Sequence, residues 1–307
     1  MIRVDSLAKR FGENRAVDGV SFEVRDGEIY GLLGPNGAGK TTTFSMLSGL
    51  LRPDLGRISY DGVDLNAEPD KVKRRLGVVP QEVAVYEELS ARENLRFWGG
   101  LYGLSGAELD RAVERSLEDV GLAARSREPV KNFSGGMKRR LNVSLGLVHS
   151  PKAVMFDEPT VGIDPQARFN ILEVVRRTAA AGAAVLYTTH YLEEAERLCD
   201  RIGILDHGRL LAEGTLEELK AQVADEEVVA LQGRFDPAAA RAEVEKIPDV
   251  RVLSADENRL TLSVAGSGSA RLLGEIFGRG LAIDRVSIEP PSLNGLFLKL
   301  TGRELRD

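Results

Sequence analysis

Residues 29–41 read Ile29-Tyr30-Gly31-Leu32-Leu33-Gly34-Pro35-Asn36-Gly37-Ala38-Gly39-Lys40-Thr41, and the rest of the chain is best read outward from them. The apolar run 29–33 predicts a strand, and Phe44, Leu47 and Leu51 recur behind Thr41 at helical spacing. Between them, Gly34 to Thr41 match G-x-x-x-x-G-K-[ST] in full, in the strand-loop-helix setting the pattern requires. Glycines let the backbone curl so that its NH groups point at phosphate oxygens, and the following helix adds its positive amino-terminal end. Lys40 is expected to reach the β and γ phosphates of a nucleotide and Thr41 to ligate Mg²⁺, with Thr42 beside it. A glycine-rich turn capped by a threonine, the plain alternative, needs neither the lysine nor this setting.

The fold class that follows is α/β. Over the first two-thirds of the chain short apolar runs alternate with amphipathic stretches, and residues 153–156 and 183–188 are further strands. Asp157 and Glu158 follow the first of these, at the strand end where open α/β sheets collect their ligands. Asp157 is the expected Mg²⁺ partner, through water. Glu158 is placed to accept a hydrogen bond from the water that attacks the γ phosphate. An isolated Asp-Glu pair would be read as a solvated strand end; the upstream loop changes that reading.

Asn132-Phe133-Ser134-Gly135-Gly136-Met137 precedes an apparent helix that Ser134 could simply cap. With this peptide the chain resembles the ATP-binding cassette (ABC) family, whose signature is Leu-Ser-Gly-Gly-Gln; Phe133 and Met137 stand in place of Leu and Gln. Other family marks follow in order: Phe11, Gln81 in Val79-Pro80-Gln81, Asp164 in Val161-Gly162-Ile163-Asp164, and His190 after Tyr187-Thr188-Thr189. The resemblance covers about residues 1–220 and implies a P-loop cassette with a helical subdomain at about 85–150. It implies that Phe11 stacks on adenine, Gln81 touches metal and water, His190 donates to the γ phosphate and Asp164 lies at a dimer seam. Ser134, Gly135 and Gly136 would face the γ phosphate of ATP held by another cassette, so that two close head to tail around two nucleotides. The expected nucleotide contacts are therefore Phe11, Gly34, Pro35, Asn36, Gly37, Ala38, Gly39, Lys40, Thr41, Thr42, Ser134, Gly135, Gly136 and Asp164. Lys40, Gln81, Glu158 and His190 form the expected catalytic set; Thr41, Gln81 and Asp157 form the metal set. Without the resemblance Phe11 reads as a strand-end aromatic. His149 and His207 have no partner motif and read as surface or packing residues, as do Trp98 and Cys199 as packing residues.

A length of 307 residues suits two domains. Lys plus Arg total 41 against 47 Asp plus Glu, a net charge of −6, which disfavours a strongly cationic nucleic-acid binder, and no nucleic-acid partner is expected. One cysteine permits no intrachain disulfide and no Cys-ligated zinc cluster, and fits a reducing cytosol. Residues 1–12 lack the apolar core of a signal peptide, and no uncharged apolar run is long enough to span a bilayer.

Residues 91–122 read as a helical insertion, with Leu109, Val113, Leu117 and Val120 at helical spacing. After about Lys220 a charged stretch, Ala224-Asp225-Glu226-Glu227, marks a domain boundary. Strand 228–231, a helix opened by Asp236-Pro237, strands 250–253 and 260–264, a helix around 272–277 and strand 283–288 give βαββαβ, a small ferredoxin-like α+β domain at 225–289. Residues 290–307 are expected to form a helical tail.

A single cassette, the 161–165 stretch and the 291–303 tail resemble the ATPase subunits of drug-resistance exporters of the daunorubicin group. That resemblance implies an ATP-hydrolysing motor, peripheral on the cytosolic face of the cell membrane and docked on a separate permease. Its partner cassette is a second copy or a paralogue, and its cargo drugs, lipids or other hydrophobic compounds. The alternative is a soluble cassette ATPase acting on ribosomes or DNA, but such proteins usually carry two cassettes or long coiled-coil insertions. The C-terminal domain is expected either to lengthen the dimer contact or to sense a small molecule.

Overall fold

The computed structural model describes residues 1–302 apart from 257, 267, 279 and 280; the tail expected beyond residue 302 lies outside them. The chain divides into two compact units, residues 1–210 and residues 211 onward. In chain order the first unit holds β1 (Ile2–Phe11), β2 (Asn14–Val24), β3 (Ile29–Leu33), α1 (Lys40–Leu47), β4 (Leu55–Tyr60), β5 (Val63–Asp64), α2 (Pro69–Lys73) and β6 (Leu76–Val79). It continues with α3 (Ala91–Leu101), α4 (Gly106–Asp119), α5 (Gly135–Leu147), β7 (Ala153–Asp157), α6 (Pro165–Ala180), β8 (Ala184–Thr189), α7 (Leu192–Leu198) and β9 (Arg201–Asp206). β10 (Arg209–Gly214) crosses the boundary.

A six-stranded sheet in the order β10-β9-β3-β8-β7-β6 forms the centre. β3 runs parallel to both β8 and β9, and β7 is parallel to β8 and β6. Every residue of β3, β7 and β8 is buried, which is why these strands read as unbroken apolar runs rather than alternating ones. A second, antiparallel sheet, β2-β1-β4-β5, is not announced by the sequence. Register shifts between Val4 and Leu7 and between Lys9 and Arg10 interrupt the period-two alternation that would have marked its long strands.

The expected helical block is α3, α4 and α5. A capping box starts α3: Ser90 Oγ accepts from the Glu93 backbone NH, and the Glu93 carboxylate accepts from that of Ser90. Leu109, Val113, Leu117 and Val120 are buried as their spacing requires, in one cluster with Leu95, Leu141 and Leu145 of the block and Val154 and Phe156 of β7. Trp98 and Cys199 pack against this cluster.

The second unit contains α8 (Leu216–Ala221), β11 (Glu226–Gly233), α9 (Pro237–Val244), β12 (Val250–Asp256), β13 (Arg259–Ala265), α10 (Ser269–Gly278), β14 (Ile283–Glu289) and α11 (Leu293–Thr301). Its sheet order is β12-β13-β11-β14 with every neighbour antiparallel, the split arrangement that βαββαβ produces. Alternation along β11 serves two faces: Val229 and Leu231 join Val244, Leu272 and Ile276 of α9 and α10, while Val228 clusters with Leu253 and Leu298 of α11. The division at residues 210 and 211 precedes the 220–225 boundary read from sequence, because α8 packs on α11 and so joins the second unit.

Candidate active site

The carboxyl ends of β3, β8 and β7 are neighbours, and they carry respectively the loop 34–39, His190 and the Asp157-Glu158 pair. Leu33 lies opposite Thr189, and Thr188 opposite Asp157, so the three segments leave the sheet side by side. Backbone contacts demand glycine in the loop. A Cβ on Gly34 would stand 2.3 Å from the Leu205 carbonyl oxygen, and one on Gly39 2.5 Å from that of Ala16, where φ is already +105°. Gly39 is the N-cap of α1, whose first NH groups have no intrahelical acceptor.

Lys40 is buried. Its Nζ donates to the carbonyls of Gly34 at 2.6 Å and Pro35 at 3.1 Å and sits 3.0 Å from Glu158 Oε1. The other carboxylate oxygen, Glu158 Oε2, is 2.9 Å from His190 Nδ1. Glu158 adopts φ +43°, and its NH donates to Thr188 Oγ1 at 3.0 Å; that hydroxyl donates in turn to Asp157 Oδ1 at 2.6 Å. Burial works to raise the Glu158 carboxyl, but His190 and Lys40 outweigh it and hold the group below the usual carboxylate range. Asp157 moves the other way: burial pushes it up, the Thr188 hydrogen bond opposes, and the Glu158 charge adds to the rise.

A depressed carboxyl stabilises the fold above its ordinary value of 4.5 and loses that contribution as pH falls through the lower folded value. The difference in urea midpoint between wild type and Glu158→Gln should hold steady above about pH 5.5 and move against wild type below about pH 4.5. A difference that stays constant over that window contradicts the assignment.

A cavity of about 370 Å³ opens over these groups, lined by Phe11, Asn36, Gly37, Gly39, Lys40, Thr41, Thr42, Gln81 and Glu158 of the expected set. Gly34 and Pro35 take part through their carbonyls on Lys40, and the Ala38 carbonyl accepts from the Gly208 NH. Asp157 and His190 stand behind the wall, held to it through Thr188 and Glu158. An ammonium, first-turn NH groups and hydroxyl and amide oxygens suit a triphosphate, and oxygen donors suit Mg²⁺. Among the described residues no cluster of three His, Cys, Asp or Glu competes for a metal. A larger cleft, about 760 Å³, contains none of the motif residues.

Ser134, Gly135, Gly136 and Asp164 do not line this cavity. Ser134 and Gly135 are exposed at the start of α5, where Ser134 Oγ accepts from the Met137 NH at 3.3 Å. Asp164 caps α6, and its Oδ2 would lie 2.7 Å from a Cβ on Gly136, so only glycine lets α5 and α6 meet there. At the two departures from the signature, Phe133 and Met137 are buried, and Arg125 lies over the Phe133 ring and donates to Met137 Sδ at 3.3 Å.

Several lining residues carried no sequence signal: Asn14, Arg15, Ala16, His207 and Gly208. His207 is an exposed surface residue, as expected, that stands at the cavity rim, whereas His149 stacks on Tyr102 as packing. Arg139 is another omission. From α5 it donates to the carbonyls of Pro80, Gln81, Glu158 and Pro159, joining the segment that carries Gln81 to the one that carries Glu158.

The chain is also similar to known proteins over its whole length. A family profile described as ABC transporter matches residues 17–161, and one described as the C-terminal domain of DrrA1-3-like ATP-binding proteins matches residues 214–301. The chain is 41% identical over 311 residues to the linearmycin resistance ATP-binding protein LnrL of Bacillus subtilis, covering 100% of both chains. It is 39% identical to the daunorubicin/doxorubicin resistance ATP-binding protein DrrA of Streptomyces peucetius, over 100% of this chain and 94% of that one. To the Nod factor export ATP-binding protein I of Ralstonia nicotianae it is 37% identical, over 100% and 95%. Among solved structures, an ATP-binding subunit of an ABC transporter aligns with TM-score 0.67 and 36% identity over 72% of this chain and 92% of that one. An ABC cassette in its ADP conformation aligns with TM-score 0.63 and 27% identity, over 71% and 92%. Full-length relatives of this kind, together with the loop 34–41, Glu158 and His190 gathered at the carboxyl ends of β3, β7 and β8, show that the chain belongs to the ABC transporter family as an ATP-hydrolysing, ATP-binding subunit.

Proposed function

We propose that this chain is the motor of an exporter, that two cassettes close head to tail around two ATP molecules, and that a separate membrane-spanning permease carries the cargo. The observation that carries the reading is the separation of the two half-sites. Lys40 and Glu158 line one cavity, with His190 held against Glu158 behind its wall, while Ser134 and Gly135 present an exposed helix start outside that cavity. An exposed capping hydroxyl and free NH groups suit the γ phosphate of ATP held by another copy. The relatives' names, linearmycin resistance, daunorubicin/doxorubicin resistance and Nod factor export, support export of the expected cargo class, drugs, lipids or other hydrophobic compounds. None of these names refers to ribosomes or DNA.

In this reading residues 34–39 and Lys40 hold the triphosphate, and Phe11, half-exposed at the cavity edge, offers a ring face to the adenine. Thr41, Gln81 and Asp157 would hold Mg²⁺, which when bound neutralises phosphate charge and polarises the γ phosphoryl group. Glu158 orients the attacking water, and His190 fixes Glu158 through the 2.9 Å contact. No helix among the described residues is long and apolar enough to cross a membrane. In this reading the membrane path belongs to a separate permease, and the motor docks on its cytosolic side.

Mixing tests the composite site. A Lys40→Ala chain keeps a working signature, and a Ser134→Arg chain keeps a working phosphate loop, so one complete site forms only between them. ATP-dependent dimers should form in the mixture and in neither sample alone, by size-exclusion chromatography with light scattering. A mixture that behaves as the sum of its parts overturns the head-to-tail arrangement.

A further inference from the structure

We infer that Glu194 is a positioning residue for hydrolysis: a buried carboxylate that ties the helix capped by Asp164 to the turn that carries His190. Its side chain, on the first turn of α7, is 1% exposed. Oε1 accepts from Arg168 Nε on α6 at 2.7 Å. Oε2 accepts from the Tyr187 hydroxyl at 2.8 Å and from Thr189 Oγ1 at 3.0 Å, both on β8. Burial and the Glu194 charge push the Tyr187 phenol up, which keeps it a donor.

These bonds bracket His190 from both sides. Thr189 Oγ1, besides donating to Glu194, accepts from the Tyr191 NH at 3.0 Å, so the turn 189–191 is pinned around the histidine. The Arg168 guanidinium lies 4.8 Å from the Tyr191 ring centroid, and that ring is 4.2 Å from the imidazole. Arg168 stands one turn along α6 from Asp164, whose carboxylate touches the Gly136 position of the signature. A continuous set of contacts therefore runs from the exposed signature, through Asp164, Arg168 and Glu194, to His190 and Glu158. A carboxylate removed from water and satisfied by three donors on two elements fixes geometry more than it adds stability. Movement of α6 when the signature engages ATP on another copy would reach His190 through this joint.

The inference rests on the proposed roles of Glu158 and His190, and one assay separates the two. ATP hydrolysis by the full chain is measured against ATP concentration for wild type, Glu194→Gln, Arg168→Gln, the double variant and His190→Ala. Glutamine preserves the acceptor for Tyr187 and Thr189 and loses the charge that holds Arg168. Glu194→Gln should lower kcat about tenfold to a hundredfold through misplacement of the histidine. KM should stay within about twofold, because the nucleotide contacts are untouched. Arg168→Gln should do the same, and the double variant should be no slower than the slower single, as expected of two residues acting as one unit. Wild-type kcat in Glu194→Gln, a rate loss that matches the unfolded fraction from a thermal melt, or effects that multiply in the double variant overturn the inference. His190→Ala at the wild-type rate overturns the underlying site reading; an impaired His190→Ala beside a normal Glu194→Gln overturns only the joint.

Discussion

Replacing Glu158 with glutamine is expected to slow ATP hydrolysis by about 10²–10⁴-fold while leaving ATP binding intact. The carboxylate stands between Lys40 Nζ at 3.0 Å and His190 Nδ1 at 2.9 Å, both of which keep it ionised and therefore able to accept a proton or orient water. Glutamine matches its shape, retains one acceptor and cannot take a proton. Binding should survive because residues 34–42 are unchanged. In the proposed assembly the γ phosphate is the group that bridges two copies, so a chain that binds ATP without cleaving it should accumulate as a dimer. Phosphate release and light scattering in ATP read both parts. A variant that hydrolyses within about threefold of wild type refutes the role assigned to Glu158.

Lys40→Ala should strike binding instead. Lys40 is the only cationic side chain of the loop 34–42, and its ammonium is already desolvated against the Gly34 and Pro35 carbonyls and Glu158. Charge-assisted hydrogen bonds are worth roughly 1.5–3 kcal/mol each, so affinity for ATP should fall at least about tenfold to a hundredfold. The loss should exceed that, because the Glu158 carboxylate would then face the triphosphate with its cation gone. Titration with a fluorescent ATP analogue measures it, and circular dichroism checks that the fold is retained. Affinity unchanged in a folded variant would remove Lys40 from the phosphate site.

Much of the site was legible because its parts are local. A phosphate loop must have its glycines, lysine and threonine consecutive, since one turn and one helix start supply all the donors, so residues 34–41 identify themselves. The buried strands β3 and β7 and the capped start of α9 were legible for the same reason. His207 and Arg15 were not, since they come to the cavity only because Gly208 donates to the Ala38 carbonyl and accepts from the Asp18 NH, fastening β2 to the loop. Arg139 and Glu194 were equally silent: a lone Arg or Glu on an amphipathic helix reads as solvated until its neighbours are known. The antiparallel sheet and the position of the domain boundary fell outside the local signals too, one through its bulged strands and the other through the packing of α8 on α11.

Sequence alone determined where phosphate chemistry is to be expected, the alternating architecture of the first unit and the βαββαβ order of the second, because each is written in contiguous residues or in a short period. The tertiary structure decided that Lys40, Glu158 and His190 meet within hydrogen-bonding distance and that Ser134 does not join them. Periodicity tells which face of a strand is buried but not which strand lies beside it. The order β9-β3-β8-β7 is fixed by how helices of both faces pack across the sheet, and that is a property of the folded chain as a whole.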